Sequence, residues 1–499
     1  EKAMATGERI MVFGDYDVDG TTAVSLVASY LRSHYPNVAT YIPDRYDEGY
    51  GISYKGIDFA SDNEITLIIA LDCGIKSVDH IDYAANRGID FIICDHHRPG
   101  EILPKAIAVL DPKRSDCNYP YDELCGCGIG FKLIQAIGMQ RGESIQDLTK
   151  YLDLVATAIA ADIVPITGEN RILAKFGLEV INSAPRPGLK ALLGQLKKTK
   201  FDITDVVFVI APRINAAGRI KHGNEAVALL SEFDYHQAQQ FALEIEKYNI
   251  NRKSLDKQIT KDALLQIEVN GEQQRYSTVV FDENWHKGVI GIVASRVIET
   301  YYRPTLVFTK SGDKYAASAR SVKGFDVYNA LESCAQHLEQ FGGHMYAAGL
   351  TLKEENYTAF KNAFEECVKS TITPEQMIPE IEIDAEISLT DITPKLVRIL
   401  RQFEPFGPGN MTPVFRANAL TDTGYGKKIG EDGCHLKLYV RQDQSVGFSA
   451  IGFGLGEKLE LINDKARIDA VFCIDKNEWN GVESIQLRVK DLMKSDNLV

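Results

Sequence analysis

Short apolar runs that stop abruptly at acids or histidines set the pattern of the first 180 or so residues. Ile10-Met11-Val12-Phe13 runs into Gly14-Asp15-Tyr16-Asp17-Val18-Asp19-Gly20, and Leu67-Ile68-Ile69-Ala70-Leu71 runs into Asp72-Cys73-Gly74. Phe91-Ile92-Ile93-Cys94 ends at Asp95-His96-His97, and Ile107-Ala108-Val109-Leu110 ends at Asp111-Pro112. Unbroken apolar segments alternating with helix-period stretches predict strands of a mostly parallel, doubly wound sheet. Residues 21–32 supply one such helix, with Val24, Leu26, Val27 and Leu31 apolar. Open sheets of this kind carry their chemistry outside the carboxyl ends of the strands. The acids and histidines fall at those ends. Residues 151–164 predict a strongly apolar helix containing Asp153 and Asp162. Nine residues is half a turn out of phase, so at most one of these two acids joins the rim.

Pro185-Arg186-Pro187-Gly188 breaks the pattern, and residues 234–266 then read as one long polar helix that connects domains. Asn270-Gly271-Glu272 signals a turn. A second α/β unit follows, with strands at 278–281, 305–309 and 315–319 and a helix at 289–300. Pro374 and Pro379 mark another linker. Short alternating segments at 435–440, 446–453 and 468–472 predict a small β-rich module, a five-stranded barrel. The expected division is 1–185, 186–268, 269–372 and 373–499, an α/β protein overall with a β-rich end.

A length of 499 residues suggests about three or four domains. No apolar window reaches a membrane span, and no secretory signal opens the chain. The chain begins at Glu1 without an initiator Met, which reads as a trimmed start. Nine cysteines without framework spacing favour reduced thiols in a cytoplasmic compartment. Cys117, Cys125 and Cys127 lack a fourth ligand and read as small buried residues rather than a zinc site. A net charge of −14 argues against a chain that coats itself with nucleic acid. The charge is unevenly spread. Between Gln195 and His222, six basic residues face only Asp202 and Asp205.

Carboxylates suit hard divalent cations, and added imidazole tilts the choice toward Mn²⁺ over Mg²⁺. Crowding Asp15, Asp17, Asp19, Asp72, Asp95, His96 and His97 at one rim without metal is repulsive. Two cations about 3.5–4 Å apart would relieve the repulsion and form the clamp used in phosphoryl hydrolysis. A calcium loop is excluded because no glutamate follows at the required offset. No serine- or cysteine-centred triad offers a covalent route.

Asp15-Tyr16-Asp17-Val18-Asp19-Gly20, Asp72-Cys73-Gly74, Asp95-His96-His97 and Ala161-Asp162-Ile163-Val164-Pro165 resemble the motifs of the DHH phosphoesterase superfamily. Further segments resemble its RecJ branch: Pro212-Arg213-Ile214-Asn215-Ala216-Ala217-Gly218-Arg219, the run from Trp285 to Arg296, Phe341-Gly342-Gly343-His344, and Phe403-Glu404-Pro405-Phe406-Gly407-Pro408-Gly409-Asn410. The resemblance spans nearly the whole chain. It implies a parallel-sheet DHH domain, a connecting helix, a DHHA1 domain and a C-terminal OB-like domain. It implies a 5′–3′ exonuclease that hydrolyses single-stranded DNA to mononucleotides with two Mn²⁺ or Mg²⁺ ions, in DNA repair and recombination.

Carried onto this chain, the resemblance makes Asp15, Asp17, Asp19, Asp72, His96 and Asp162 the metal ligands, with Asp17 and Asp19 favoured within the first motif. His97 is expected at the scissile phosphate, and Asp95 orients a histidine. Together with His96 and Asp72 these form the catalytic set. Ser318, Arg320, Gly342, Gly343 and His344 are expected to hold a 5′ phosphate, and Arg45, Arg213 and Arg219 to complete a basic lining. Tyr46, Tyr50 and His286 are candidates for stacking on bases. Expected partners are 5′-phosphorylated single strands, a single-strand-binding protein and a RecQ-type helicase; the chain is expected to act as a monomer away from membranes. Two rivals remain. A DHH phosphodiesterase for cyclic dinucleotides usually lacks the connector and the β-rich module, and a non-catalytic relative would have lost ligands that are all present here. Cys127 departs from the small non-thiol residue more usual in the family.

Overall fold

The computed structural model describes residues 1–479 and 482–495. The chain divides into two compact units, Glu1–Val164 with Gly168–Pro379, and Pro165–Thr167 with Glu380–Val499.

The first unit opens on a five-stranded, fully parallel sheet, β1 (Arg9–Gly14), β2 (Val38–Tyr41), β3 (Ile65–Leu71), β4 (Asp90–Cys94) and β5 (Ala108–Leu110), in the order β2-β1-β3-β4-β5. The order reverses between β1 and β3, so their carboxyl ends flank the crevice where doubly wound sheets bind ligands. Met11, Phe13, Ile68, Ala70, Phe91 and Ile93 pack one face against Ile57, Ala60, Ile81 and Ala84 of the helices Tyr54–Asp62 and Val78–Ala85. Helices Val18–Arg32, Gly126–Gln140 and Leu152–Ala161 pack on one another within the same unit. The short edge strand β2 is absent from the sequence expectation. Its four residues, Val-Ala-Thr-Tyr, are largely half-buried and too few to declare a period.

Two helix ends decide where acids stand. Helix Val18–Arg32 begins three residues before the expected Thr21, because Asp17 caps it by accepting the Gly20 amide at 3.0 Å. Asp19 is thereby drawn into the first turn and buried. Helix Leu152–Ala161 ends with Asp162 as its C-cap, and Ile163 turns away at φ 60°. Asp153 faces the opposite side, fully buried, with its carboxylate on Arg186 Nε at 3.1 Å and on the Arg186 amide at 3.0 Å. Its role is to hold the chain break at Pro185 to Gly188 against this helix.

Asp234 caps the 35-residue helix Tyr235–Val269 by accepting the Gln237 amide. Beyond it lies a mixed sheet of β6 (Thr278–Phe281), β7 (Thr305–Ser311), β8 (Lys314–Arg320), β9 (Gln340–His344) and β10 (Ala347–Lys353), ordered β6-β7-β8-β10-β9. Leu306, Phe308, Ala317, Ala319 and Leu350 meet Phe360, Phe364 and Val368 of the helix Tyr357–Thr371 in its core.

Among its described residues the second unit has seven strands, β11 (Ala385–Glu386), β12 (Phe415–Asp422), β13 (Lys427–Ile429), β14 (His435–Arg441), β15 (Phe448–Gly452), β16 (Ile468–Trp479) and β17 (Val482–Lys494). β12, β16, β17, β15 and β14 pair in that order, and β12 pairs back to β14, which closes the expected five-stranded barrel. Among the described residues no helix is long and apolar enough to cross a membrane.

Candidate metal centre

Every strand-end acid expected at the rim reaches it. Asp15 leaves β1 fully buried; its Oδ1 accepts the Gly51 amide at 3.3 Å, and its Oδ2 is buried without a hydrogen-bond partner. Asp72 leaves β3 in the left-handed region at φ 59°. His96 leaves β4 with 7% of its surface exposed. Its Nε2 lies 3.1 Å from Asp72 Oδ1, 3.6 Å from Asp162 Oδ2 and 3.8 Å from Asp19 Oδ2. Two sets of ligand atoms, Asp72–His96–His97 and Asp19–His96–Asp162, each lie within 4.8 Å of one another and share His96. Asp15 and Asp17 belong to neither set and stand beside them.

The electrostatics of this cluster is strained without a cation. Burial, then the charge of Asp17, raises Asp15 well above the usual carboxylate range. Asp72 is raised in the same way by burial and by Asp19. Burial and Asp17 push Asp19 up to about 7, and burial with Asp19 pushes Asp162 up to about 9. His96 is driven down to about 3 by burial and by His97, so it presents a neutral imidazole, the form that binds metals. A buried carboxylate oxygen without a partner, a buried imidazole nitrogen facing three acids, and carboxyls unable to ionise together all fit divalent cations.

Asp95 does different work. Its Oδ1 takes the amides of His96 and His97 at 2.8 and 3.1 Å and His97 Nδ1 at 2.7 Å, while its Oδ2 takes the Ile75 amide at 2.9 Å. Burial alone would raise this carboxyl, but the bond and charge of His97 and the surrounding amides hold it down at about 2. In return His97 is raised above its ordinary value by Asp95, against the effect of burial. The histidine that Asp95 orients is His97.

Cys125-Gly126-Cys127, read from sequence as buried small residues, turns out to organise the site. Helix Gly126–Gln140 starts here, and the amides of Gly126 and Cys127 donate to the two oxygens of Asp19 at 2.6 and 2.7 Å. The helix end lies so close to Asp72 that a Cβ on Gly126 would stand 2.5 Å from the Asp72 Cβ. The signal was legible as a glycine-rich helix start, but nothing in the sequence says which acid it holds. All nine cysteines are free, and the candidate ligand sets among the described residues include none of them.

Three guanidinium groups gather in the same unit. The Arg45 guanidinium lies 4.0 Å above the Tyr16 ring, and its Nε is buried without a hydrogen-bond partner. Arg219 Nη1 donates to Gly288 O at 2.9 Å; burial, then the charges of Arg45 and Arg320, lowers it to about 9. Arg320 Nη1 reaches Ser318 Oγ at 3.1 Å on β8. Such crowding of cations favours an anion among them. Arg213 is placed otherwise than expected. It is buried, its Nε lies 2.6 Å from Glu246 Oε2 and its Nη1 donates to Val209 O at 2.7 Å. Arg213 and Arg219 are six residues apart on the helix Ala211–Ile220, which turns them to different faces. Gly342, Gly343 and His344, expected to hold a 5′ phosphate, lie on the sheet-edge strand β9. Tyr46 and His286 also have other work: the Tyr46 hydroxyl donates to Arg219 O at 2.5 Å, and its ring meets His286 edge-on.

Three family models match the chain: the DHH family N-terminal domain over residues 9–159, the DHHA1 domain over 273–370 and the RecJ OB domain over 383–491. The single-stranded-DNA-specific exonuclease RecJ of Bacillus subtilis is 37% identical across 99% of this chain, which spans 62% of that protein's length. The Escherichia coli protein of the same description is 32% identical, covering 98% of this chain and 88% of its own. The crystal structure of RecJ in complex with Mn²⁺ from Thermus thermophilus superposes with a TM-score of 0.85 at 28% identity, over 100% of this chain and 70% of that one. On these matches, the chain belongs to the RecJ family of single-stranded-DNA-specific exonucleases.

Proposed function

We propose that this chain is a metal-dependent 5′–3′ exonuclease that releases mononucleotides from 5′-phosphorylated single-stranded DNA. The observation that carries the reading is the buried cluster around His96 Nε2, where Asp72, Asp162 and Asp19 converge at the switch point of the sheet. Asp15, Asp17, Asp19, Asp72, His96 and Asp162 would hold two divalent cations, Mn²⁺ or Mg²⁺. When bound, such cations lower the pKa of an attacking water and neutralise charge on the leaving oxygen.

The chain's own groups supply the rest. The helix-end amides of Gly126 and Cys127 keep Asp19 turned inward. Asp95 clamps Nδ1 of His97, and the half-exposed ring of His97 is left to stabilise charge on the scissile phosphate. Arg45, Arg219, Arg320 and Ser318 would grip the terminal 5′ phosphate, with Gly342, Gly343 and His344 on the same sheet as Ser318 and Arg320. Gripping the end that carries the phosphate gives the polarity. We assign residues 1–185 to the DHH domain, 186–268 to the connector, 269–372 to DHHA1 and 373–499 to an OB-like strand-binding module. The reading includes a monomeric cytoplasmic repair enzyme that works with a single-strand-binding protein and a RecQ-type helicase.

The test is digestion of end-labelled single strands beside duplex and cyclic dinucleotide substrates, with Mn²⁺, Mg²⁺ or chelator. Mononucleotide release from the 5′ end is expected, lost on chelation and in Asp72→Ala or His96→Ala. Release from the 3′ end, or a preference for cyclic dinucleotides, would overturn the reading.

A further inference from the structure

Tyr50 stands between two glycines, Gly49 and Gly51, both in the left-handed region at φ 85° and 83°. Residues with a β-carbon rarely adopt that backbone, so the turn is specific to the tyrosine's placement. The loop is fastened to the metal centre twice. Gly51 donates its amide to Asp15, and the Tyr50 hydroxyl lies 3.2 Å from His97 Nε2 and 3.1 Å from the Asp72 carbonyl oxygen. The other nitrogen of the same imidazole, Nδ1, is held by Asp95. Both ring nitrogens are therefore engaged, and the ring cannot flip or swing without breaking a hydrogen bond. The phenol suits this task because it donates to Nε2 or accepts from it, with the Asp72 carbonyl taking its proton in the second case. Its ring meets Tyr16 edge-on at 6.1 Å, and Tyr16 is in turn covered by Arg45.

We infer that the Tyr50 hydroxyl is a positioning group for His97, fixing the imidazole on the exposed side of the site instead of serving only as a stacking surface for a base. The inference rests on the reading of His97 as the residue that meets the scissile phosphate. Without the hydroxyl, Nε2 loses its hydrogen bond and the ring is held at Nδ1 by Asp95 alone.

The test is steady-state and single-turnover nucleotide release from 5′-phosphorylated single strands by the full chain, Tyr50→Phe, Tyr50→Leu, His97→Ala and the Tyr50→Phe/His97→Ala pair. Thermal melts and Mn²⁺ titration confirm that each variant is folded and binds metal. Tyr50→Phe keeps the ring, and with it any stacking, but removes the hydrogen bond. It is expected to lower kcat about tenfold, the size of one side-chain hydrogen bond, with KM and Mn²⁺ affinity within about twofold of the parent. On the His97→Ala background the same change is expected to cost nothing further. Parental kcat in Tyr50→Phe overturns the inference. So does a loss confined to KM and seen only in Tyr50→Leu, which would assign the ring to stacking, or an equal loss on the His97→Ala background. A His97→Ala enzyme with parental kcat is a separate outcome, because it removes the role of His97 itself and the inference with it.

Discussion

Asp162 caps the carboxyl end of a helix, where exposed carbonyls repel negative charge, and it faces Asp19 and Asp17 across the metal centre. Replacing it by asparagine keeps the shape and removes the charge. A carboxyl whose folded pKa is raised to about 9 from 3.8 takes up a proton on folding. Its cost to stability is absent below about pH 4 and grows as pH rises, levelling off only above about 9. At 1.36 kcal/mol per unit, the full gap at pH 8 sets a ceiling of about 6 kcal/mol. The side chain is 28% exposed and shares its shift with Asp19 and Asp17, so the single substitution should recover about 2 kcal/mol. At roughly 1 °C per kcal/mol for a chain of this size, Asp162→Asn should melt about 2 °C above the parent in chelator at pH 8. The gap should fall below about 1 °C at pH 5. With millimolar Mn²⁺ at pH 8 the order should reverse, because the parent gains a ligand interaction that the variant lacks. Scanning calorimetry at the two pH values, with and without Mn²⁺, decides the matter. A variant that melts at or below the parent in chelator at pH 8, or equal stabilisation of both by Mn²⁺, would refute the reasoning.

Gly126→Ala places a Cβ against Asp72 and disturbs the amides that hold Asp19; it should weaken Mn²⁺ binding about 10–100-fold by calorimetric titration. Arg320→Ala should raise KM about tenfold or more for 5′-phosphorylated strands and change it little for strands with a 5′ hydroxyl, as a charge-assisted contact to phosphate requires. Asp153→Ala leaves the Arg186 guanidinium uncompensated and should cost about 3–5 kcal/mol in urea unfolding. Mn²⁺ affinity of the folded Asp153→Ala protein should be unchanged, because that acid faces away from the site.

The acids and histidines at the rim were legible because parallel strands buried on both faces are near-continuous apolar runs, and a run that ends in Asp15, Asp72 or Asp95 announces its own carboxyl end. The long helix from Tyr235 was equally plain, with Asp234 as a cap and no breaker for 35 residues. The edge strand β2 was not, since four residues, one buried and three half-buried, carry no period. The barrel was visible as short alternating segments, but its closure depends on the β12–β14 pairing, which no local pattern contains.

What the sequence determined by itself is the inventory: which strands end in ligands, and that Asp153 and Asp162 cannot both serve one site. The tertiary structure decided the assignments. Asp162 lies at the metal centre while Arg186 holds Asp153 on the opposite side of the helix, and Asp95, fixed by three backbone amides, supports the ring of His97. Arg213 is turned onto Glu246 of the long helix while Arg219 feels the charges of Arg45 and Arg320. Each of these choices depends on which group lies opposite across the fold. Periodicity places a residue on a face, but only packing supplies the charge, amide or close approach that gives it a role.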